Sequence, residues 1–139
     1  MKNTPQSDAT TQGIRIQAQA QFLPQESDPE NRHFVFRYKI TMTNLGSVPA
    51  KLLSRHWIIV DSEGRREELR GRGVIGEYPK LGIGESYHYV SYCPIKTSWG
   101  TMEGNYIFER DDGSRFPVAI ARFFLVPTAP PLTLESPSV

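Results

Sequence analysis

Ile14-Arg15-Ile16-Gln17-Ala18-Gln19-Ala20-Gln21-Phe22 decides the fold class. Apolar side chains take every even position, and arginine or glutamine takes every odd one. A period of two sends the two sets to opposite faces of an extended chain. This stretch is therefore a strand with one face in a core and the other in water. Working outward, Pro24 to Asn31 is a polar loop. Phe34, Phe36, Tyr38, Ile40 and Met42 then form a second apolar stripe, backed by Arg37, Lys39, Thr41 and Thr43. Asn44-Leu45-Gly46 turns the chain, and Leu52 to Val60 is a third strand, apolar enough to be buried on much of both faces. Asp61-Ser62-Glu63-Gly64 is a turn. Residues 65–85 are glycine-rich and read as irregular. Tyr87 to Cys93 is a further strand. Met102 to Arg110 and Arg115 to Leu125 form a hairpin around Asp111-Asp112-Gly113, because Asp-Gly tolerates the positive φ that a tight hairpin needs. No window carries a capped helical stripe. The expected fold is an all-β sandwich, immunoglobulin- or fibronectin-III-like, of about seven to eight antiparallel strands. Trp57 is placed to plug its core.

The chain has 139 residues, the size of one domain. Residues 1–13 and the proline-rich residues 128–139 read as flexible tails, and 14–127 as the ordered domain. Sixteen basic residues against fifteen acidic ones give a net charge of +1. That balance supplies no electrostatic argument for nucleic-acid binding. Cys93 is the only cysteine, so no internal disulfide forms, against the habit of small secreted domains. No apolar stretch has the length of a signal peptide core or a bilayer span. The expected location is the cytoplasm, with no nucleic acid and no membrane as partner.

The sharpest motif is Gly71-Arg72-Gly73-Val74-Ile75-Gly76. In a dinucleotide-binding fold such a string closes a strand and opens a helix whose N-terminus holds the pyrophosphate. Here Glu77-Tyr78-Pro79-Lys80-Leu81-Gly82 follows, and Pro79 and Gly82 do not continue a helix. About 20 residues on, where a ribose-binding acid belongs, stand Tyr92, Cys93 and Pro94. The lysine of a Walker loop is missing. Ala121 stands where a kinase-like Val-Ala-Ile strand, here Val118-Ala119-Ile120, would need lysine. A phosphate nest built from backbone N–H groups survives as a candidate. Its residues are Arg70, Gly71, Arg72, Gly73 and Gly76, with the two arginines forking onto phosphate oxygens.

His33, His56, His88 and Cys93 have no metal-ligand spacing. His88 and Cys93 are an odd number of residues apart on one strand, so they face opposite ways. Arg55 and Trp57 share a face and read as a cation–π pair, with His56 on the other face. No Gly-x-Ser-x-Gly elbow is present, and the acidic pairs sit in turns. No catalytic constellation and no cofactor are expected.

Several blocks together carry a resemblance. Leu53-Ser54-Arg55-His56-Trp57-Ile58-Ile59-Val60-Asp61 precedes the glycine string and Glu77-Tyr78-Pro79. Gly84-Glu85, Tyr89-Val90-Ser91 and Gly100-Thr101-Met102-Glu103-Gly104-Asn105-Tyr106 follow, then Asp112-Gly113-Ser114-Arg115-Phe116 and Phe123-Phe124-Leu125. In this order they resemble the ApaG family over about residues 14–127. Where the family often has proline before the Gly-Glu pair, this chain has Ile83. The resemblance implies a fibronectin-III-like sandwich, a link to cobalt and magnesium homeostasis, and a role in binding an unidentified protein partner. It also carries a pyrophosphate-binding idea to Gly71, Gly73 and Gly76. The expectation is a non-enzymatic protein-interaction module, with binding of a phosphate-containing ligand or nucleotide as the alternative. Pairing of edge strands into a homodimer stays open.

Overall fold

The computed structural model describes residues 6–127. Nine strands lie among them in two antiparallel sheets. The first sheet is ordered β1 (Gln6–Thr11), β2 (Ile14–Phe22), β3 (Phe34–Asn44), β7 (Ser86–Ile95). The second runs β5 (Arg66–Arg72), β4 (Ala50–Asp61), β8 (Gly100–Arg110), β9 (Arg115–Leu125), with the two-residue β6 (Lys80–Leu81) beside the start of β4. The architecture is the expected all-β sandwich.

The alternating stretch forms β2 as read, with Ile14, Ile16, Ala18 and Ala20 buried. Phe36, Ile40 and Met42 of β3 face the same core, opposite Leu52, Tyr106, Phe108 and Phe123 of the other sheet. Trp57 plugs this core. It is 2% exposed and makes edge-on contacts with Tyr38, Tyr106 and Phe123 at centroid distances of 5.3, 6.4 and 6.0 Å.

Two readings need correction. Residues 6–11 are not part of a tail. They form β1, which pairs along its whole length with β2, from Gln6↔Gln19 to Thr11↔Ile14. The joining turn is Gln12-Gly13, with φ of 47° and 88°. Two successive positive φ values are the signature of a two-residue type I′ hairpin. The remainder of the expected tails, residues 1–5 and 128–139, lies outside the described residues. Residues 66–72 are likewise not irregular but a full strand at the edge of the second sheet. Their polarity hid them, since an edge strand buries little of either face.

Irregularities in two strands redirect side chains. In β4 the register to β8 shifts between Leu52 and Ser54. A bulge of this kind changes which side chains face inward. Ala50 and Leu52 face the core before it, and Arg55, Trp57 and Ile59 after it. A second shift falls between Met102 and Gly104 on β8. There Gly104 approaches the His56 carbonyl so closely that a Cβ would run into it. Pro94 and Pro117 lie on β7 and β9, both edge strands, where a missing ladder donor costs least.

The two long sides of the sandwich differ. On one side β1 packs against β9. Ser7 Oγ donates to the Ala121 carbonyl at 2.7 Å, and the Ala119 amide donates to Thr11 Oγ1 at 3.2 Å. On the other side β5 and β7 face each other across a gap, and no hydrogen bond joins them among the described residues.

Candidate functional site

The glycine string lies at the end of this open side, and each glycine there has a structural reason. Gly71 and Arg72 close β5. A Cβ on Gly71 would stand 2.6 Å from Arg55 Nη2 and 2.7 Å from its Cζ, so the glycine makes room for the Arg55 guanidinium. Gly73 has φ of 62°, and a Cβ there would run into the Glu77 carbonyl oxygen. Ile75 and Gly76 have φ of 49° and 74°. Val74 and Glu77 exchange both backbone hydrogen bonds at 2.8 Å across them, forming a second type I′ hairpin. Val74 anchors the hairpin in the core at 1% exposure, while Ile75 projects from the tip at 60%.

Backbone donors in this loop are largely spent. The Gly73 amide bonds the Leu53 carbonyl at 2.8 Å, and the amides of Val74 and Glu77 bond each other's carbonyls. Of the predicted phosphate site, Gly73 and Gly76 are therefore turn residues, and Gly71 is a strand residue at the end of β5. Arg70 and Arg72 lie two apart on β5, both exposed. Arg70 reaches Glu68 at 3.4 Å, and Arg72 makes no ion pair among the described residues.

Arg55 does something the sequence did not suggest. Its Nη1 donates to the carbonyls of Arg72 at 3.1 Å and Gly73 at 2.7 Å, tying the glycine loop to β4. The expected stacking on Trp57 is not made. The cation–π contact among the described residues is Arg110 over Phe116, 3.9 Å from the ring centroid. The competing interaction won because a turn with inward carbonyls offers guanidinium two strong acceptors. Arg55 stays half-buried; burial raises the pKa of Tyr38, Tyr89 and Tyr106, and the Arg55 charge opposes that rise only in small part. Tyr89 and Tyr106 share a buried hydrogen bond of 2.6 Å between their hydroxyls.

On the outer face of the second sheet His56 Nε2 lies 2.9 Å from Glu68 Oε1. Arg66, first, and then His56 hold the Glu68 carboxyl below its usual range by hydrogen bonding. No serine, threonine or cysteine side chain hydrogen-bonds His56 among the described residues.

The sequence model of the ApaG domain matches residues 24–110, more than half of the chain. The chain belongs to the ApaG family. It is similar to Protein ApaG of Bdellovibrio bacteriovorus, 46% identical over 113 residues that cover 81% of this chain and 89% of that one. Protein ApaG of Anaeromyxobacter dehalogenans is 47% identical over 120 residues, covering 86% and 94%. The crystal structure of a Bordetella pertussis protein described as ApaA matches with a TM-score of 0.80 at 43% identity, over 82% of this chain and 93% of that chain. The C-terminal domain of wzt, at 11% identity and a TM-score of 0.53, shares the fold alone.

Within this ApaG domain the remaining candidates fall apart in space. Cys93 is buried, and burial pushes its thiol up to about 12, which leaves almost no thiolate at neutral pH. No group of three or more His, Cys, Asp or Glu side chains could hold a metal ion among the described residues. No helix among them is long and apolar enough to cross a membrane. The residues that sequence reading missed are Arg55 as the clamp on the loop and Ile75 as its exposed tip. The β4 bulge that aims Arg55 inward leaves no sequence signature. The tip had one, since a glycine after Ile75 fits the second position of a type I′ turn.

Proposed function

We propose that this ApaG domain is a non-enzymatic, cytoplasmic module that binds a protein partner through the tip of the glycine hairpin. The observation that carries this reading is Ile75. A β-branched residue in the left-handed region costs about 1–2 kcal/mol. Ile75 stands at φ 49° and is also 60% exposed, so neither backbone nor burial benefits in the free protein. A position that is unfavourable twice over is held for another purpose, and apolar contact with a partner is the purpose that fits. Tyr78, 42% exposed, flanks the same hairpin and adds an aromatic of the kind enriched in binding hot spots. Any part in divalent-cation homeostasis would then run through the partner.

Replacing Ile75→Asn tests this. Asparagine favours a type I′ turn, so the melting temperature should rise, with a gain of about 1 kcal/mol. Capture of partners from a cell extract should fall even as stability rises. A variant that is more stable yet captures the same proteins as wild type would rule the tip out.

The second reading, a phosphate-containing ligand on Arg70 and Arg72, is favoured by the exposed Arg72 guanidinium, which has no ion-pair partner among the described residues. Calorimetry with pyrophosphate at low salt separates the two. Binding that Arg70→Ala with Arg72→Ala abolishes would favour a nucleotide sensor over a protein-binding hairpin.

A further inference from the structure

The four outer strands of the two sheets are protected unequally. β1 and β9 cover each other through the Ser7 and Thr11 contacts. β7 carries Pro94. The Val35 amide and carbonyl turn toward Ser27 and Leu23, so Pro94, paired with Val35 across the ladder, presents its missing donor to the open edge. β5 has neither a proline nor a covering strand. The Asp61 amide bonds the Arg65 carbonyl and the Gly73 amide bonds the Leu53 carbonyl, so the odd-numbered residues of β5 face β4. The N–H and C=O groups of Arg66, Glu68 and Arg70 therefore point to the open edge, where no hydrogen bond meets them among the described residues.

Side chains on β5 alternate as its backbone does. Arg66, Glu68, Arg70 and Arg72 lie on the outer face with His56. Glu67 and Leu69 lie on the inner face, over a pocket they share with Tyr92 and Pro94. On the outer face one carboxylate stands among three arginines. Glu68 already touches His56, Arg66 and Arg70, and Arg72 has no ion pair among the described residues. The surplus charge is positive. Like charges opposite each other across two strands destabilise the pairing, and unlike charges support it. Two copies of β5 paired antiparallel would set arginine against arginine, so the edge rejects itself and selects an acidic strand.

We propose that β5 is the docking edge for an acidic, extended segment of another protein, which joins the second sheet as an added antiparallel strand. Its amides and carbonyls bond those of Arg66, Glu68 and Arg70. Its acidic side chains lie on the outer face against Arg66, Arg70 and Arg72, and an apolar side chain on the inner face sits beside Leu69. Main-chain bonds supply the affinity of such additions, and the alternating side chains supply the selectivity. The edge ends where the Ile75 hairpin begins, but the added strand needs no contact with the tip, so the two readings fail separately.

The test uses the full chain labelled with nitrogen-15 and a capped peptide, Glu-Val-Glu-Val-Thr-Thr-Glu. Run antiparallel, it sets glutamates opposite Arg72, Arg70 and Arg66 and a valine opposite Leu69. At low salt the Glu68 and Arg70 amide resonances should shift saturably and their hydrogen exchange should slow, while the Gln12-Gly13 turn stays in place. N-methylation of the third and fifth peptide residues, whose N–H groups face β5, should abolish binding. N-methylation of the two valines, whose N–H groups face away, should leave it unchanged. Lysines in place of the glutamates should weaken binding roughly tenfold, and so should Arg70→Glu with Arg72→Glu in the protein. If that variant fails to fold, the comparison among peptides on wild-type protein still decides. Equal binding of both methylated peptides would overturn strand addition, and so would unmoved Glu68 and Arg70 amides. A lysine peptide that binds as well as the glutamate one would overturn the acidic partner. So would protection of the Glu68 and Arg70 amides that rises with protein concentration alone, because a second copy would then hold the edge.

Discussion

The two long sides of this sandwich are built from the same parts and end differently. Each carries an edge strand next to a two-residue hairpin with two positive φ values, Gln12-Gly13 on one side and Ile75-Gly76 on the other. On the first side a polar residue fills the turn, β1 crosses to β9, and Ser7 and Thr11 stitch the sheets together. On the second a β-branched residue fills the turn, β5 and β7 stay apart, and a pocket lined by Trp57, Leu69 and Glu67 remains between them. One side is closed for stability. The other keeps strain and exposed apolar surface in one region, which is the combination that binding surfaces show.

The largest break in this contrast would come at Gly73. Alanine there would force a side chain to φ 62° and against the Glu77 carbonyl, so Gly73→Ala should cost about 3 kcal/mol in chemical denaturation. A loss below about 1 kcal/mol would mean that the glycine loop is not the rigid turn described. Deleting residues 1–11 comes next. A tail could be lost without effect, but β1 carries a full ladder to β2, so stability should fall by about 2 kcal/mol and β9 should become protease-sensitive. Ser7→Ala removes one half-buried hydrogen bond and should cost about 1 kcal/mol by thermal melting.

The smallest effect belongs to Asp8, which binds Arg15 of β2 through two contacts at 2.6 and 3.0 Å. The Arg15 hydrogen bond holds its carboxyl below the usual carboxylate range. A depressed folded-state pKa adds stability above the ordinary value, lost as pH falls through the folded one. Asp8→Asn should therefore flatten the acid limb of the stability curve slightly and leave neutral pH almost unchanged, because both side chains are exposed.

Most of the fold was legible because burial on one face imposes a period of two. β2 and β3 announce themselves that way, β4 by an apolar run over both faces, and the β8–β9 hairpin by its Asp-Gly turn. What was not legible buries little. Gln6-Ser7-Asp8-Ala9-Thr10-Thr11 has no large apolar residue, and Arg66 to Arg72 is mostly charged, with Leu69 its single large apolar side chain. Both are edge strands, specified by their neighbours' ladders and not by their own pattern. The hairpins were missed for a related reason, since Gln-Gly and Ile-Gly lack the asparagine or aspartate that marks a type I′ turn. The candidate site was half legible. Its glycines were found and Arg55 was placed on the face of Trp57, but the acceptors of Arg55, the Arg72 and Gly73 carbonyls, are set by the fold of a turn that residue types alone do not specify.

Residue-resolved hydrogen exchange on the free protein tests the contrast between the two sides most directly. Amides of β9 and the paired amides of β1 should be protected by sheet pairing and by the contacts between those strands. Amides of β5 and of the Val74–Glu77 hairpin should exchange roughly a hundredfold faster, through local opening of the unsupported side. Equal protection of β5 and β9 would contradict the account, because it would show the β5/β7 side to be as firmly closed as its counterpart.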